Sequence, residues 1–280
     1  MSELEKQVNK MPQPKIIEVS SNSRLAFTFN ENMPLAVTIN WQWVLAKINE
    51  ALFARSTQEV IKLLFLDLDL VQIHNNALLD IQNIVRQTVK EKDIIEIQAK
   101  LDSFKELMTE YIQHSLTNKH RLDYVINESS FVVQKLKDLD VIGLGAFMIV
   151  AGFRLALLQE KAQSDIAEWS NVKNRAIEYS DYAMRVSPKL IKFSVGKIDK
   201  ECRCTTYKSA MQGEEITEYE CRYFDGKDLH IFRDLSPNVV NECNKHRLQK
   251  FQNAVDSVNQ IATQPVREAS KKWQELAAGI

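Results

Sequence analysis

The sequence has little glycine, proline or cysteine. Seven glycines and six prolines in 280 residues are too few for the many tight turns of an all-β fold or for long disordered linkers. The four cysteines, Cys202, Cys204, Cys221 and Cys243, all come after residue 200, a pattern that does not by itself indicate an oxidising compartment. The net charge at pH 7 is −1, so the chain as a whole is not attracted to nucleic acid, and no nucleic-acid partner is expected.

Motifs for catalysis and cofactor binding are missing as well. The sequence contains no GxSxG, GxGxxG, GxxxxGK[ST] or HExxH pattern, and no Glu-x-x-His pair of a di-metal helical bundle. A zinc site at the cysteines would need two to four residues between the first pair, whereas Cys202 and Cys204 are separated by one. Structural or free cysteines, or a disulfide between Cys204 and Cys221 across a hairpin, are the alternatives. We therefore predict no enzyme activity, no cofactor and no metal.

One long apolar stretch organises the chain. Residues 141–153 carry no charged or strongly polar side chain, and four more apolar residues follow Arg154. A helix that is apolar on every side has to be surrounded by other helices. A transmembrane span is the rival interpretation, but it needs about 20 apolar residues, and an arginine at the bilayer centre costs roughly 2.5–3.5 kcal/mol. We therefore predict the central helix of a bundle.

Apolar residues at three- and four-residue steps predict further helices on both sides of this stretch, the clearest over Ile97–Tyr111 and Leu122–Leu136. After Cys202, short β-like segments are separated by turn residues. The predicted fold class is mainly α: a multi-helix bundle around a central apolar helix, with a small β-meander and a long C-terminal helix. The predicted domains are an N-terminal arm with short strands (1–39), the helical bundle (40–201), and the β-meander plus C-terminal helix (202–280).

Two segments suggest a family. GFRLALLQEKA begins at Gly152 and is followed by Trp169, and RAIEYSDYAMRVSPKLI begins at Arg175. This pattern resembles the helical pore-forming domain of the three-domain crystal insecticidal delta-endotoxins, over about residues 95–200. The resemblance implies that the central helix and its predecessor leave the bundle as a hairpin and enter a membrane. Carried over, that hairpin is roughly Ile95 to His114 with Val141 to Leu158. The chain has no room for the two β-domains that follow in the family.

The resemblance therefore implies a pore-forming or membrane-active insecticidal-type toxin, or a toxin component. Its partners would be a target-cell membrane, with a receptor or a second toxin component, and it would form an oligomer on insertion. The first residues, MSELEKQVNKMPQP, have no apolar core, so we expect synthesis in the cytoplasm without a cleaved signal peptide and release to act on host membranes. The alternative is a soluble helical-bundle interaction or scaffold protein without membrane activity. The candidate membrane-inserting residues are Val141, Ile142, Leu144, Phe147, Met148, Ile149, Val150, Phe153, Leu155 and Leu158.

Overall fold

The computed structural model describes residues 17–19, 40–113, 119–211 and 214–280. Of the predicted N-terminal arm, only Ile17–Val19 (β1) falls within these ranges, and it forms a strand. The rest of the arm lies outside the described residues. The mainly α fold class is confirmed. The α-helices of the described ranges are α1 Trp41–Ala54, α2 Thr57–Lys62, α3 Leu70–Val85, α4 Glu91–Gln113, α5 Lys119–Asp138, α6 Leu144–Ser164, α7 Trp169–Val195, α8 Val239–Val258 and α9 Gln264–Ala278.

Short irregular turns and side-chain caps set the ends of several helices. Leu63–Asp67 and Asn259–Thr263 are π-helical turns, and Ile166–Glu168 is a 3₁₀ turn before α7. The Asn40 side chain accepts a hydrogen bond from the backbone amide of Trp43 at the start of α1. Asp69 does the same for Val71 at the start of α3. These oxygens satisfy amides that have no partner within their own helix.

The described residues form two compact units. One is helical and contains residues 40–194 together with 257–280; the other contains β1 and residues 195–256. This division differs from the predicted domains because α9 belongs with the bundle and not with the β-meander. The physical reason is Trp273 of α9, whose ring is fully buried in the bundle core.

The second unit is built on a small antiparallel sheet. Its strands are β2 Arg203–Met211, β3 Glu214–Phe224 and β4 Leu229–Asp234, in the order β1-β4-β3-β2. The predicted meander is thus extended by β1, which pairs with β4. At the turn between β3 and β4, the Asp225 carboxylate accepts hydrogen bonds from two following backbone amides, and its other oxygen lies 2.9 Å from Nε2 of His230.

Two disulfides hold this unit together. Cys204 and Cys221 are directly opposite in the register of β2 and β3, with 4.1 Å between their Cα atoms, and they form one disulfide. Cys202 and Cys243 form the other and join the segment before β2 to α8. The buried hydrophobic cluster of this unit has few members (Cys221, Tyr223, Val239 and Cys243). Since a core of this size contributes little stability, the disulfides are the main structural support of the unit.

Candidate functional site

The central helix α6 is the candidate functional element, and the structure places eight of the ten predicted residues on it. Val141 and Ile142 instead lie in the turn before the helix. The remaining eight are no more than 4% exposed. They are Leu144, Phe147, Met148, Ile149, Val150, Phe153, Leu155 and Leu158. The predicted burial of this stretch on all sides is therefore seen in the bundle.

Near its start, α6 packs closely against α3 and α7. A Cβ atom built on Gly145 would lie 3.0 Å from the backbone oxygen of Ala77 in α3, so the missing side chain allows this close approach. On another side of the helix, the ring of Phe147 lies 5.8 Å from that of Tyr179 and 4.5 Å from that of Tyr182, both on α7. These aromatic pairs fix the crossing of α6 and α7.

In its middle, α6 contacts α1, α4, α9 and the π-helical turn after α2. A Cβ atom on Gly152 would lie 3.0 Å from Ile48 of α1 and 3.5 Å from the ring of Trp273 in α9. The ring of Phe153 lies 5.2 Å from Phe65 and 6.4 Å from Phe104 of α4. Together with α3, α5 and α7, these elements enclose α6.

Arg154 is the one charged residue of this enclosed region of α6. It is 6% exposed. Its Nε atom donates to the backbone oxygen of Ile126 in α5 at 3.2 Å, and its Nη1 atom donates to the hydroxyl of Tyr179 in α7 at 2.6 Å. Burial raises the pKa of Tyr179, although the guanidinium opposes that effect, so the hydroxyl stays neutral. Arg154 therefore bridges α5 and α7 through two neutral acceptors, and no carboxylate of the described residues pairs with it.

The end of α6 is held by polar contacts. Gln159 is fully buried, and its Nε2 atom donates to the backbone oxygen of Leu52 in α1 at 3.0 Å. The carboxylate of Glu160 accepts hydrogen bonds from the side chains of Thr57, Gln58 and Tyr111. Burial and the nearby Glu160 raise the pKa of Tyr111, so its hydroxyl remains a donor. These bonds tie the last turns of α6 to α1, α2 and α4.

Lys161 continues this polar region on the next residue of α6. Its ammonium lies 3.0 Å from Asp123 of α5 and 3.0 Å from Glu168 of the 3₁₀ turn. Hydrogen bonds from Asn171 and Lys161 lower the pKa of Glu168. The charge of Lys161 is therefore shared between two carboxylates, unlike that of Arg154.

The helix that directly precedes α6 is α5, as the predicted helix over residues 122–136 indicated. The resemblance paired Ile95 to His114 with the central helix as one hairpin. That pairing is wrong, because α5 lies between them in the chain: residues 91–113 form α4, and residue 114 lies outside the described ranges. A turn at residues 139–143 joins α5 to α6. A Cβ atom on Gly143 would lie 2.3 Å from the backbone oxygen of Leu136, so this turn requires glycine. We call residues 119–164 the α5–α6 hairpin.

Ion pairs connect the outer face of α5 to its neighbours. Glu128 pairs with Lys100 of α4 at 2.5 Å, and Lys135 pairs with Glu96 of α4 at 3.2 Å. Lys137 pairs with Glu178 of α7, and its ammonium lies 5.2 Å from the ring centre of Tyr179. The hairpin is therefore attached to the bundle by an apolar interior and by polar contacts on its outside.

His74 is a buried titratable group in α3. It is 0% exposed, its Nδ1 atom lies 3.1 Å from the side-chain oxygen of Asn75, and its Nε2 atom has no hydrogen-bond partner among the described residues. Burial lowers the pKa of His74 to about 4 because a charged ring would be removed from water. The bundle thus contains a group that resists protonation until the solution is acidic.

Sequence reasoning missed most of the polar partners of α6. Tyr179 and Tyr111 lie on other helices, α7 and α4, and periodicity does not tell which distant helix a residue meets. The signal that could have found Tyr179 is Arg154 itself, because a buried guanidinium needs oxygen acceptors. The sequence does not identify which oxygens they are.

Neither a metal site nor a bilayer-spanning helix is found in the described part of the chain. No group of three or more His, Cys, Asp or Glu side chains there is arranged to hold a metal ion. Within the same ranges, every helix falls short of the length and apolar character that crossing a membrane requires. No protein-family model, curated protein or solved structure matches this chain.

Proposed function

We propose that this protein is a membrane-active, pore-forming toxin or toxin component whose α5–α6 hairpin leaves the bundle and enters a target membrane. The observation that supports the proposal most is the enclosure of α6. The helix α6 is buried from Leu144 to Gln159, with Arg154 as its one charged residue there. It is surrounded by amphipathic helices, and a short turn joins it to a helix with one apolar and one charged face.

The free energy of burial limits what such a helix can do outside the bundle. A fully buried large apolar side chain contributes about 1.5–3 kcal/mol, so the eight candidate residues on α6 together contribute about 12–24 kcal/mol. A folded domain is more stable than its unfolded state by only about 5–15 kcal/mol. Moving α6 into water is therefore prohibitive, whereas a bilayer can replace the apolar surroundings that the bundle provides.

Polar residues on the hairpin favour a water-lined assembly over an isolated helix in lipid. Arg154 and Gln159 are buried in the bundle with hydrogen-bond partners on other elements. In hydrocarbon these groups would have to find new partners. Several hairpins side by side can turn their apolar faces to lipid and their polar groups to water, which is the reason for proposing an oligomer on insertion.

Acid is the condition that we expect to release the hairpin. Partial burial acts to raise the pKa of Glu178, but the ion pairs with Lys137 and Arg175 together outweigh it and lower the pKa. A carboxylate with a lowered pKa stabilises the fold above its ordinary pKa, and that stability is lost as the pH falls through the lowered value. Glu168 behaves in the same way, and the protonation of His74 adds to the effect between about pH 6.5 and pH 4.

The disulfides of the second unit support action outside the reducing cytosol. Cys204–Cys221 and Cys202–Cys243 account for all four cysteines. Disulfides persist in secreted and extracellular proteins and are rare in the cytosol. We therefore extend the proposal to a protein that is released from the cell that makes it.

Release of solutes from liposomes tests this function. Vesicles would hold a small dye together with a large dextran, and the protein would be added at pH values from 7.5 to 4. Release of the dye with retention of the dextran at acidic pH is the result expected of a pore. Release of both would indicate membrane breakage without a defined pore. Retention of both at every pH would refute the proposal and favour the soluble interaction or scaffold protein.

A further inference from the structure

Arg154 is not explained by the stability of the bundle. It is 6% exposed, and its two acceptors are the backbone oxygen of Ile126 and the hydroxyl of Tyr179. A buried charge without an opposite charge loses its hydration and gains little in return, and apolar residues of similar volume often replace buried ionic groups without loss of stability. A methionine at this position would lose the two hydrogen bonds but would also avoid the cost of burying an unpaired charge, so the arginine adds little net stability to the bundle.

The position of Arg154 along the helix is the second observation. α6 extends over 21 residues, and its stretch without acidic or lysine side chains, Leu144 to Gln159, is about 24 Å long at 1.5 Å per residue, shorter than the hydrocarbon layer of about 30 Å. Arg154 follows the first residue of α6 by ten positions, so it lies at the middle of the helix. From Leu144 to Gln159 no other residue is charged.

We propose that Arg154 lines the water-filled centre of the inserted assembly and makes its pore select anions. This inference rests on the proposed function and adds the ion selectivity of the proposed pore. Rings of arginine or lysine side chains at a constriction select anions in channels. In the bundle, Arg154 points to the seam between α5 and α7, and this seam opens to water when the hairpin separates from α7.

The competing acid at this level of the hairpin is Glu128. It lies two residues after Ile126, and since each residue of a helix turns by about 100°, its side chain leaves α5 on nearly the opposite side. There it pairs with Lys100 of α4. Lys161 lies two turns after Arg154 on the same face, and it keeps a partner within the hairpin, Asp123 of α5. When the hairpin leaves the bundle, Lys100 stays behind on α4, so Arg154 and Glu128 are the unpaired charges at this level. Arg154 contacts one side of α5, and Glu128 leaves α5 on nearly the opposite side.

The test is the reversal potential of currents through a planar bilayer with a gradient of potassium chloride. Wild type is compared with Arg154→Met, with Arg154→Lys, and with Glu128→Gln as the matched control at the same level. Since one unit charge about 5 Å from a passing ion changes its Boltzmann weight about fourfold even at the dielectric constant of water, we expect Arg154→Met to lower the preference for chloride by about fourfold or more. Arg154→Lys and Glu128→Gln should leave chloride preferred.

The outcomes separate this inference from the function on which it rests. Conductance that prefers potassium, or a chloride preference that survives in Arg154→Met, would overturn the role of Arg154 and leave pore formation standing. Loss of chloride preference in Glu128→Gln would overturn it as well. If wild type shows no conductance in acid, where circular dichroism shows that it has changed its structure, the proposed function fails and this inference fails with it.

Discussion

Protonation of His74 provides a prediction whose size follows from the structure. The ring is 0% exposed in α3, and in the part of the chain that the structure describes its Nε2 atom has no hydrogen-bond partner. In the unfolded chain a histidine has a pKa of about 6.5, whereas burial lowers the pKa of His74 to about 4. Between these values the unfolded chain binds a proton that the folded bundle does not bind, so the free energy of unfolding falls as the pH falls.

The magnitude follows from the two pKa values. From pH 7 to pH 4.5 this single group should lower the free energy of unfolding by about 2 kcal/mol. His74→Leu removes the titration and the unpaired nitrogen, and it places an apolar side chain of similar size in the same cavity. We expect the variant to resemble wild type at pH 7 within about 1 kcal/mol and to be more stable than wild type at pH 4.5.

Urea unfolding followed by circular dichroism at both pH values measures this difference. The loss of stability between pH 7 and pH 4.5 should be about 2 kcal/mol smaller in His74→Leu than in wild type. A matched control is His120→Leu, since His120 is exposed on α5 and the same substitution there leaves the buried site at His74 intact. Equal pH dependence in wild type and His74→Leu would refute the reasoning, because it would show that His74 does not resist protonation in the fold.

The remaining predictions concern packing, a hydrogen bond and a disulfide. Trp273→Ala should lower the free energy of unfolding by about 3–5 kcal/mol in a urea titration, and a loss below about 1 kcal/mol would contradict the burial of this ring. Tyr179→Phe removes an acceptor of Arg154 and should cost about 1–3 kcal/mol, whereas an unchanged midpoint would show that water replaces it. Replacing Cys204 and Cys221 by serine should cost about 3 kcal/mol in the second unit, seen as faster proteolysis within residues 195–256, and equal proteolysis would contradict this.

Much of the bundle can be predicted from the sequence because apolar periodicity is a local signal. The stretch at residues 141–158 shows that it is buried, since a helix with apolar residues on every side has no face for water. The helix over residues 122–136 also follows from its pattern and corresponds to α5. The hairpin partner was misassigned because the resemblance placed α4 where the chain places α5.

Contacts between distant parts of the chain are what the sequence does not provide. Trp273 packs against α6 although more than a hundred residues separate them, and this contact moves α9 from the predicted C-terminal domain into the bundle. The two disulfides also differ in how far apart their cysteines lie in the sequence. Cys204 and Cys221 are local enough to be considered as a pair across a hairpin, whereas Cys202 and Cys243 are 41 residues apart and join the segment before β2 to α8.

A reversible tether between α3 and α6 tests the central claim, the departure of the hairpin from the bundle. A Cβ atom on Gly145 would lie 3.4 Å from the Cβ atom of Ala77, close to the separation of about 3.5–4.5 Å found in disulfides. The double variant Ala77→Cys, Gly145→Cys would be compared with Ala77→Cys alone and with wild type. Each would be assayed for dye release at acidic pH before and after reduction, so that wild type accounts for any effect of the native disulfides.

The account predicts that the oxidised double variant, with the tether identified by mass spectrometry, releases no dye. Reduction should restore release to the level of reduced wild type, and Ala77→Cys alone should release dye in both states. Full release by the tethered protein would contradict the account. It would show that the protein permeabilises membranes while α6 is still held against α3.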